Sequence, residues 1–173
     1  PEDEQIDSFE RLKIYPGALY YLSKIARELD YELVMVTNQD GLGTDAFPED
    51  TFHPVHNLIV RTFANEGVIF DKQFIDRSFP EDNSPNRKPR TGLLQSYFSD
   101  AYDLENSFVI GDRLTDIELA KNLGARGIFI NNQRALGESE LSATPVELEG
   151  SISLETDHWG EIYEFLKLRE RSV

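Results

Sequence analysis

Two aspartates four residues apart, Asp112 and Asp116, are the side chains of this sequence best placed to do chemistry. They follow the apolar run Phe108-Val109-Ile110 and Gly111, and apolar residues at helical spacing come directly after them. This pattern predicts a buried strand, a loop that carries carboxylates and then a helix, and ligands bind at such strand ends in parallel α/β sheets. Two carboxylates on a short loop suit a hard cation such as Mg²⁺. A turn residue followed by an acid in the first helical turn explains the pair equally well.

Strand and helix patterns alternate along the chain, which predicts a Rossmann-like α/β fold with a parallel sheet flanked by helices. The predicted strands cover residues 33–36, 73–76, 108–110 and 126–131, with an edge strand at 151–154. The continuous apolar run at 33–36 predicts a strand that is buried on both faces. The predicted helices cover residues 16–29, 51–65, 91–102 and 157–169, and one more ends near residue 123. Residues 79–90 and 132–150 are predicted to be loops. With 173 residues we expect a single domain.

The composition narrows the classes of partner. The formal net charge is −15, from 32 acidic and 17 basic residues, and such a field disfavours nucleic acid. A phosphate site in this chain therefore needs a bound cation and a well-placed Lys or Arg. The absence of Cys excludes disulfides and thiolate metal sites and fits a cytoplasmic protein. No apolar run reaches membrane-spanning length, so we expect no membrane partner.

Two further groups could act on a phosphate. Thr37 and Asn38 end the apolar run at 33–36, and a hydroxyl with the following N–H can hold a phosphate oxygen. Lys88 lies in the densest positive cluster, residues 87–90, and a Lys can neutralise the charge that develops in phosphoryl transfer. Taken singly, a Thr at this position is more often a β-branched strand residue, and a Lys is more often a solvated surface cation. Together with the two aspartates, they predict a phosphoryl-transfer site.

These motifs resemble those of the haloacid dehalogenase superfamily of Mg²⁺-dependent phosphatases. The similarity is carried by Val36-Thr37-Asn38, by Lys88-Pro89 and by Gly111-Asp112-Arg-Leu-Thr-Asp116. A finer resemblance is to the histidinol-phosphate phosphatase domain of the bifunctional histidine-biosynthesis enzyme. It is carried by Thr37-Asn-Gln-Asp-Gly-Leu-Gly-Thr44, Phe47-Pro48, His56-Asn57-Leu58 and Arg87-Lys88-Pro89.

The resemblance implies Mg²⁺-dependent hydrolysis of L-histidinol phosphate through an aspartyl-phosphate intermediate. It also implies that Thr37 and Asn38 contact the phosphate and that Lys88 binds both the phosphate and the nucleophile. Asp112 would ligate Mg²⁺, and Asp116 would support the metal indirectly or through water. A fusion to an imidazoleglycerol-phosphate dehydratase domain is also expected, because that arrangement is common in the family.

The sequence departs from the family pattern in two places. It contains no Asp-x-Asp-Gly-Thr motif, whose first Asp is the family's nucleophile and whose second is its acid and base. We expect this motif upstream of Pro1, together with a first central strand that the sheet would otherwise lack. Relatives often carry a structural zinc before the Lys motif, but residues 76–86 contain neither Cys nor His, so we expect no zinc.

Two other functions fit the same residues. One is a phosphatase of the same superfamily that acts on a sugar bisphosphate or another small phosphomonoester. The other is a non-catalytic remnant domain that lacks the nucleophile. His56 is expected to shape the loop near the substrate and His158 to cap a helix, and neither is expected to be catalytic.

Overall fold

The computed structural model describes residues 5–130 and 140–170, and strands and helices alternate along them. The strands are β1 (Val34–Asn38), β2 (Lys72–Asp76), β3 (Phe108–Gly111), β4 (Arg126–Ile130) and β5 (Ile152–Thr156). The α-helices are α1 (Ala18–Glu28), α2 (Glu49–Asn65), α3 (Leu114–Leu123), α4 (Pro145–Glu149) and α5 (Trp159–Glu170). They form two compact units. The first contains the residues up to Phe79 and those from Trp159 onward, and the second is Pro80–His158.

The first unit contains a two-stranded parallel sheet of β1 and β2, in which Val34 lies opposite Lys72 and Asn38 opposite Asp76. Helix α2 connects the two strands. The apolar run of β1 predicted a strand buried on both faces, but every residue of β1 is only half-buried. That detail of the prediction was wrong, since β1 has only β2 as a strand neighbour within the described part of the chain.

Helices α1 and α5 pack together in the first unit. Tyr163 of α5 is fully buried; its hydroxyl donates a hydrogen bond to the Glu28 carboxylate and accepts one from Lys167 Nζ at 2.8 Å. The hydrogen bond from Tyr163 lowers the pKa of Glu28, and the bond to the same hydroxyl raises the pKa of Lys167. The charged forms of Glu28 and Lys167 are thus favoured. Their hydrogen bonds to the Tyr163 hydroxyl link α1 to α5.

The second unit is built on a three-stranded parallel sheet in the order β3-β4-β5. Helix α3 packs on β3 and β4, and its residues from Thr115 to Ala120 are all buried. A Cβ at Gly127 of β4 would lie 2.8 Å from Ile117 Cδ1, so a larger residue there would force the Ile117 side chain of α3 to shift. Gly124, with φ of 74°, ends the helix as the sequence predicted.

The structure confirms the α/β class with parallel strands flanked by helices, and it corrects three local predictions. The described residues form two sheets where one was predicted, with β1 and β3 each having a single strand neighbour. The predicted helix at 91–102 is a 3₁₀ helix at Gly92–Phe98, whose three-residue period buries both Leu94 and Tyr97. The predicted loop at 132–150 contains α4 at its end; residues 131–139 lie outside the described part.

Within the described residues, no helix is both long and apolar enough to cross a membrane.

Candidate active site

Lys88 and Asp116 form an ion pair in the second unit, with Lys88 Nζ 2.8 Å from Asp116 Oδ1. Asp116 is buried, with 6% of its surface exposed, and the side chain of Lys88 is 16% exposed. The sequence predicted that these two residues act at one site, and the structure brings them together. An ammonium group has three N–H donors, so it can bind a carboxylate and a phosphate oxygen at the same time. The pair therefore presents a positioned cation in a chain of strongly negative net charge.

Asp116 is fixed by the first turn of α3. Its Oδ2 accepts a hydrogen bond from the Arg113 backbone N–H at 3.3 Å, and its own N–H donates to the Arg113 carbonyl at 3.0 Å. A carboxylate in the first turn is also stabilised by the helix dipole. A Cβ built on Gly111 would lie 2.1 Å from Asp116 Oδ2 and 2.5 Å from its Cβ. Only glycine at the end of β3 therefore leaves room for this carboxylate.

Asp112 directly follows β3 and is half-buried. Mg²⁺ is commonly held by one or two carboxylates and completes its shell with water and substrate phosphate. The oxygen donor at Asp112 fits that chemistry, although the described residues contain no cluster of three or more metal-binding side chains. Both Asp116 oxygens contact N–H donors of the protein, which favours a supporting role for Asp116 over direct ligation. The metal roles of Asp112 and Asp116 stay predictions.

Thr37 and Asn38 are the last two residues of β1, in the first unit. Their position at the carboxyl end of a parallel strand is where the sequence placed them. The Gln39 side-chain amide donates a hydrogen bond to Thr37 Oγ1 at 2.7 Å. This bond occupies an acceptor position of the hydroxyl, and the hydroxyl itself donates to the Asn38 carbonyl oxygen at 3.4 Å. The sequence reasoning missed Gln39, and its only local signal was that it follows the Thr-Asn pair.

A cavity of about 200 Å³ lies beside Thr37 in the first unit, lined by Ile6, Met35, Thr37, Gln39, Phe52, Val55, His56 and Ile59. His56 lies in α2, stacks on the Phe52 ring with centroids 5.1 Å apart, and places Nε2 2.9 Å from Gln73 Oε1. Since Oε1 can only accept, Nε2 carries the proton. His56 is therefore a packed helix residue bonded to the neighbouring strand. His158 directly precedes α5, and its backbone N–H donates to Thr156 Oγ1 at 3.0 Å.

Comparisons with known proteins identify the family. A HAD-hydrolase-like family model matches residues 85–146, which carry the Lys88 and Asp112–Asp116 motifs. The chain is 52% identical over 99% of its length to the histidine biosynthesis bifunctional protein HisB of Spirosoma linguale, and 51% identical over 99% to that of Bacteroides fragilis. The matched segment, residues 85–146, therefore belongs to the haloacid dehalogenase (HAD) superfamily. The chain spans about half the length of these two relatives, 46% and 44%.

Solved structures agree with the HAD fold. The D,D-heptose 1,7-bisphosphate phosphatase of B. bronchiseptica, solved with magnesium and phosphate, superposes with a TM-score of 0.76. It is 24% identical to this chain, and the match covers 96% of this chain and 90% of that structure. A protein from Mesorhizobium loti described as a HAD-like phosphatase gives a TM-score of 0.66 at 21% identity, with 94% of this chain and 78% of that one covered. At these identities the likeness establishes the fold alone.

Replacing Gly111 by Ala tests whether the HAD domain needs the Lys88–Asp116 pair. We expect phosphatase turnover to fall by about 10²-fold, because the new methyl group must displace the Asp116 side chain. The measurement is kcat for a phosphomonoester, with thermal unfolding recorded in parallel. Gly150→Ala is the matched control, since that glycine has φ of −66° and no atom within 4 Å of an added Cβ. Equal turnover in the two variants would contradict the prediction.

Proposed function

We propose that this chain is the phosphatase domain of a histidine-biosynthesis enzyme and hydrolyses L-histidinol phosphate to L-histidinol and phosphate. The observation that carries the proposal is the 52% identity, over 99% of the chain, to a histidine biosynthesis bifunctional protein. The Lys88–Asp116 pair supports it, because phosphoryl transfer depends on a fixed cation beside the reacting phosphate. We further propose a fused second catalytic domain, a dehydratase, because the relatives are bifunctional and about twice as long.

Each residue of the candidate site has a role in this reaction. The Thr37 hydroxyl, which accepts a hydrogen bond from Gln39, and the Asn38 backbone N–H bind phosphate oxygens. Lys88, held by Asp116, neutralises the charge that develops on the transferring group. Asp112 would hold Mg²⁺, which when bound polarises the phosphoryl group and offsets its charge. The resemblance implies a nucleophilic Asp that becomes transiently phosphorylated. In the family this Asp lies in an Asp-x-Asp motif, which the 173-residue sequence does not contain.

A panel of phosphomonoesters assayed with the full-length protein tests the substrate. We expect kcat/KM for L-histidinol phosphate to exceed that for D,D-heptose 1,7-bisphosphate by about 10²-fold or more. A site that hydrogen-bonds a polar group of its substrate discriminates at least this strongly against a compound that lacks the group. Chelation of divalent cations with EDTA should abolish the activity, and added Mg²⁺ should restore it.

The second candidate substrate is a sugar bisphosphate, the substrate class in the name of the structurally similar heptose bisphosphate phosphatase. Faster turnover of the heptose bisphosphate than of histidinol phosphate would replace the leading proposal with this one. Absence of turnover of every monoester in the presence of Mg²⁺ would favour the non-catalytic domain.

A further inference from the structure

Arg87, the residue before Lys88, is buried with 3% of its surface exposed. Its guanidinium forms a bidentate salt bridge with the Glu140 carboxylate: Nε donates to Oε2 at 2.7 Å and Nη2 donates to Oε1 at 3.0 Å. Such paired bonds between planar groups fix orientation as well as distance. The Arg87 backbone is thereby fixed to the segment that contains Glu140.

The residue after Lys88 is also fixed. The Pro89 carbonyl accepts a hydrogen bond from Asn122 Nδ2 of α3 at 3.0 Å. Lys88 is therefore flanked on both sides by residues with long-range bonds within the second unit. Its own side chain reaches Asp116, which lies on the same helix as Asn122.

The segment that carries Glu140 is itself bonded to α3. Glu118, which is 2% exposed, accepts hydrogen bonds from the backbone N–H groups of Ser142 at 3.0 and 3.1 Å and of Ala143 at 3.2 Å. The contacts from Arg87 thus lead through Glu140 and its neighbours back to the helix that holds Asp116. Lys88 and its carboxylate partner are positioned by one connected set of bonds.

A cation next to the phosphate-binding Lys88 invites the interpretation that Arg87 binds phosphate as well. Its burial and its two bonds to Glu140 argue for a different role. We propose that Arg87 is a positioning residue that acts through Glu140 to place Lys88 for phosphate binding. This inference rests on the proposed phosphate-binding role of Lys88. Displacements of about 1 Å in catalytic groups lower turnover on the order of 10²-fold. Loss of the Arg87–Glu140 contact should therefore have a measurable effect.

A double-mutant cycle separates positioning from direct phosphate binding. In the full-length protein, Arg87→Gln, Glu140→Gln and the double variant are titrated with inorganic phosphate in the presence of Mg²⁺ by calorimetry. We expect each single variant to bind phosphate about 10-fold to 10²-fold more weakly, and the double variant to be no weaker than either single one, because both substitutions break the same contact. Mg²⁺ affinity without phosphate should stay unchanged.

Unchanged or tighter phosphate binding by Glu140→Gln, with weaker binding by Arg87→Gln, would overturn the proposal, because it would identify Arg87 as a phosphate ligand released by loss of its partner. Additive losses in the double variant, or an unmodified protein that does not bind phosphate, would also overturn it.

The matched control is Thr144→Ala, which breaks the Thr144–Glu147 capping interaction of α4 in the same unit. This control should unfold at a lower temperature and keep its phosphate affinity. A loss of affinity as large as that of Glu140→Gln would contradict a specific role for the Arg87–Glu140 pair. Phosphate binding does not depend on which monoester is hydrolysed. If histidinol phosphate were not hydrolysed but the losses of phosphate affinity in the double-mutant cycle were non-additive as expected, the proposed substrate would be refuted and the positioning role supported.

Discussion

Replacement of Asp112 by Asn should lower Mg²⁺-dependent turnover on the order of 10³-fold while leaving the fold intact. The substitution preserves the shape of the side chain at the end of β3 but removes the negative charge that a hard cation prefers. Excess Mg²⁺ should restore part of the activity, because an amide oxygen remains a weak ligand. The measurement is kcat as a function of Mg²⁺ concentration, together with thermal unfolding.

Asp100→Asn provides the control for this substitution. It makes the same change of charge at an exposed position of the second unit. We expect its Mg²⁺ activation curve to match that of the unmodified protein. If Asp112→Asn also showed an unaltered curve, Asp112 would have no part in metal binding.

The second large effect is expected for Lys88→Met, which should reduce turnover by about 10²–10³-fold and also destabilise the protein. Asp116 is buried and would lose its partner, and breaking a buried pair from one side typically costs about 3–5 kcal/mol. The two consequences separate in the double variant Lys88→Met/Asp116→Asn. It should regain much of the free energy of unfolding, because no unpaired charge remains, and it should stay inactive.

Urea denaturation followed by circular dichroism gives the free energy of unfolding of the unmodified protein, of Lys88→Met and of the double variant. A phosphate-release assay gives their turnover. Recovery of both stability and turnover in the double variant would mean that Lys88 serves the fold only. Loss of turnover in Lys88→Met without loss of stability would show that the ion pair contributes little to folding.

Local sequence patterns predicted the strands and helices that carry the candidate site. The apolar runs before Asn38 and Asp112 end as β1 and β3 do, and the helix that begins near Asp116 ends at Gly124. These signals lie within a few residues of each other, so they can be detected without tertiary information. Their success explains why residues at strand ends could be named in advance.

Contacts between distant residues could not be predicted in the same way. Arg87 and Glu140 are 53 residues apart, and nothing in either local pattern selects the other as a partner. Glu118 reads as an ordinary helix acid, yet it is buried and binds backbone N–H groups 24 and 25 residues away. Its role depends on the burial of every residue from Thr115 to Ala120, which the mixed composition of α3 does not indicate.

One missed element had a readable signal. Thr144-Pro145-Val146-Glu147 has the Thr-x-x-Glu spacing of a capping box with Pro at the first helical position, and both capping interactions form at the start of α4. The loop prediction for 132–150 relied on the composition of the whole segment and overlooked this local motif.

The discontinuity of the first unit has a consequence for synthesis on the ribosome. Helix α1 is made near the beginning of the chain, but its packing partner α5 is made only after residues 80–158. The second unit is contiguous and can gain its native contacts as it emerges, whereas α1 lacks its contacts with α5, including the hydrogen bond between Glu28 and Tyr163, until α5 has been translated. A nascent chain that stalls before Trp159 would therefore present α1 without this partner helix to chaperones and proteases, although every residue of the candidate site had already been made.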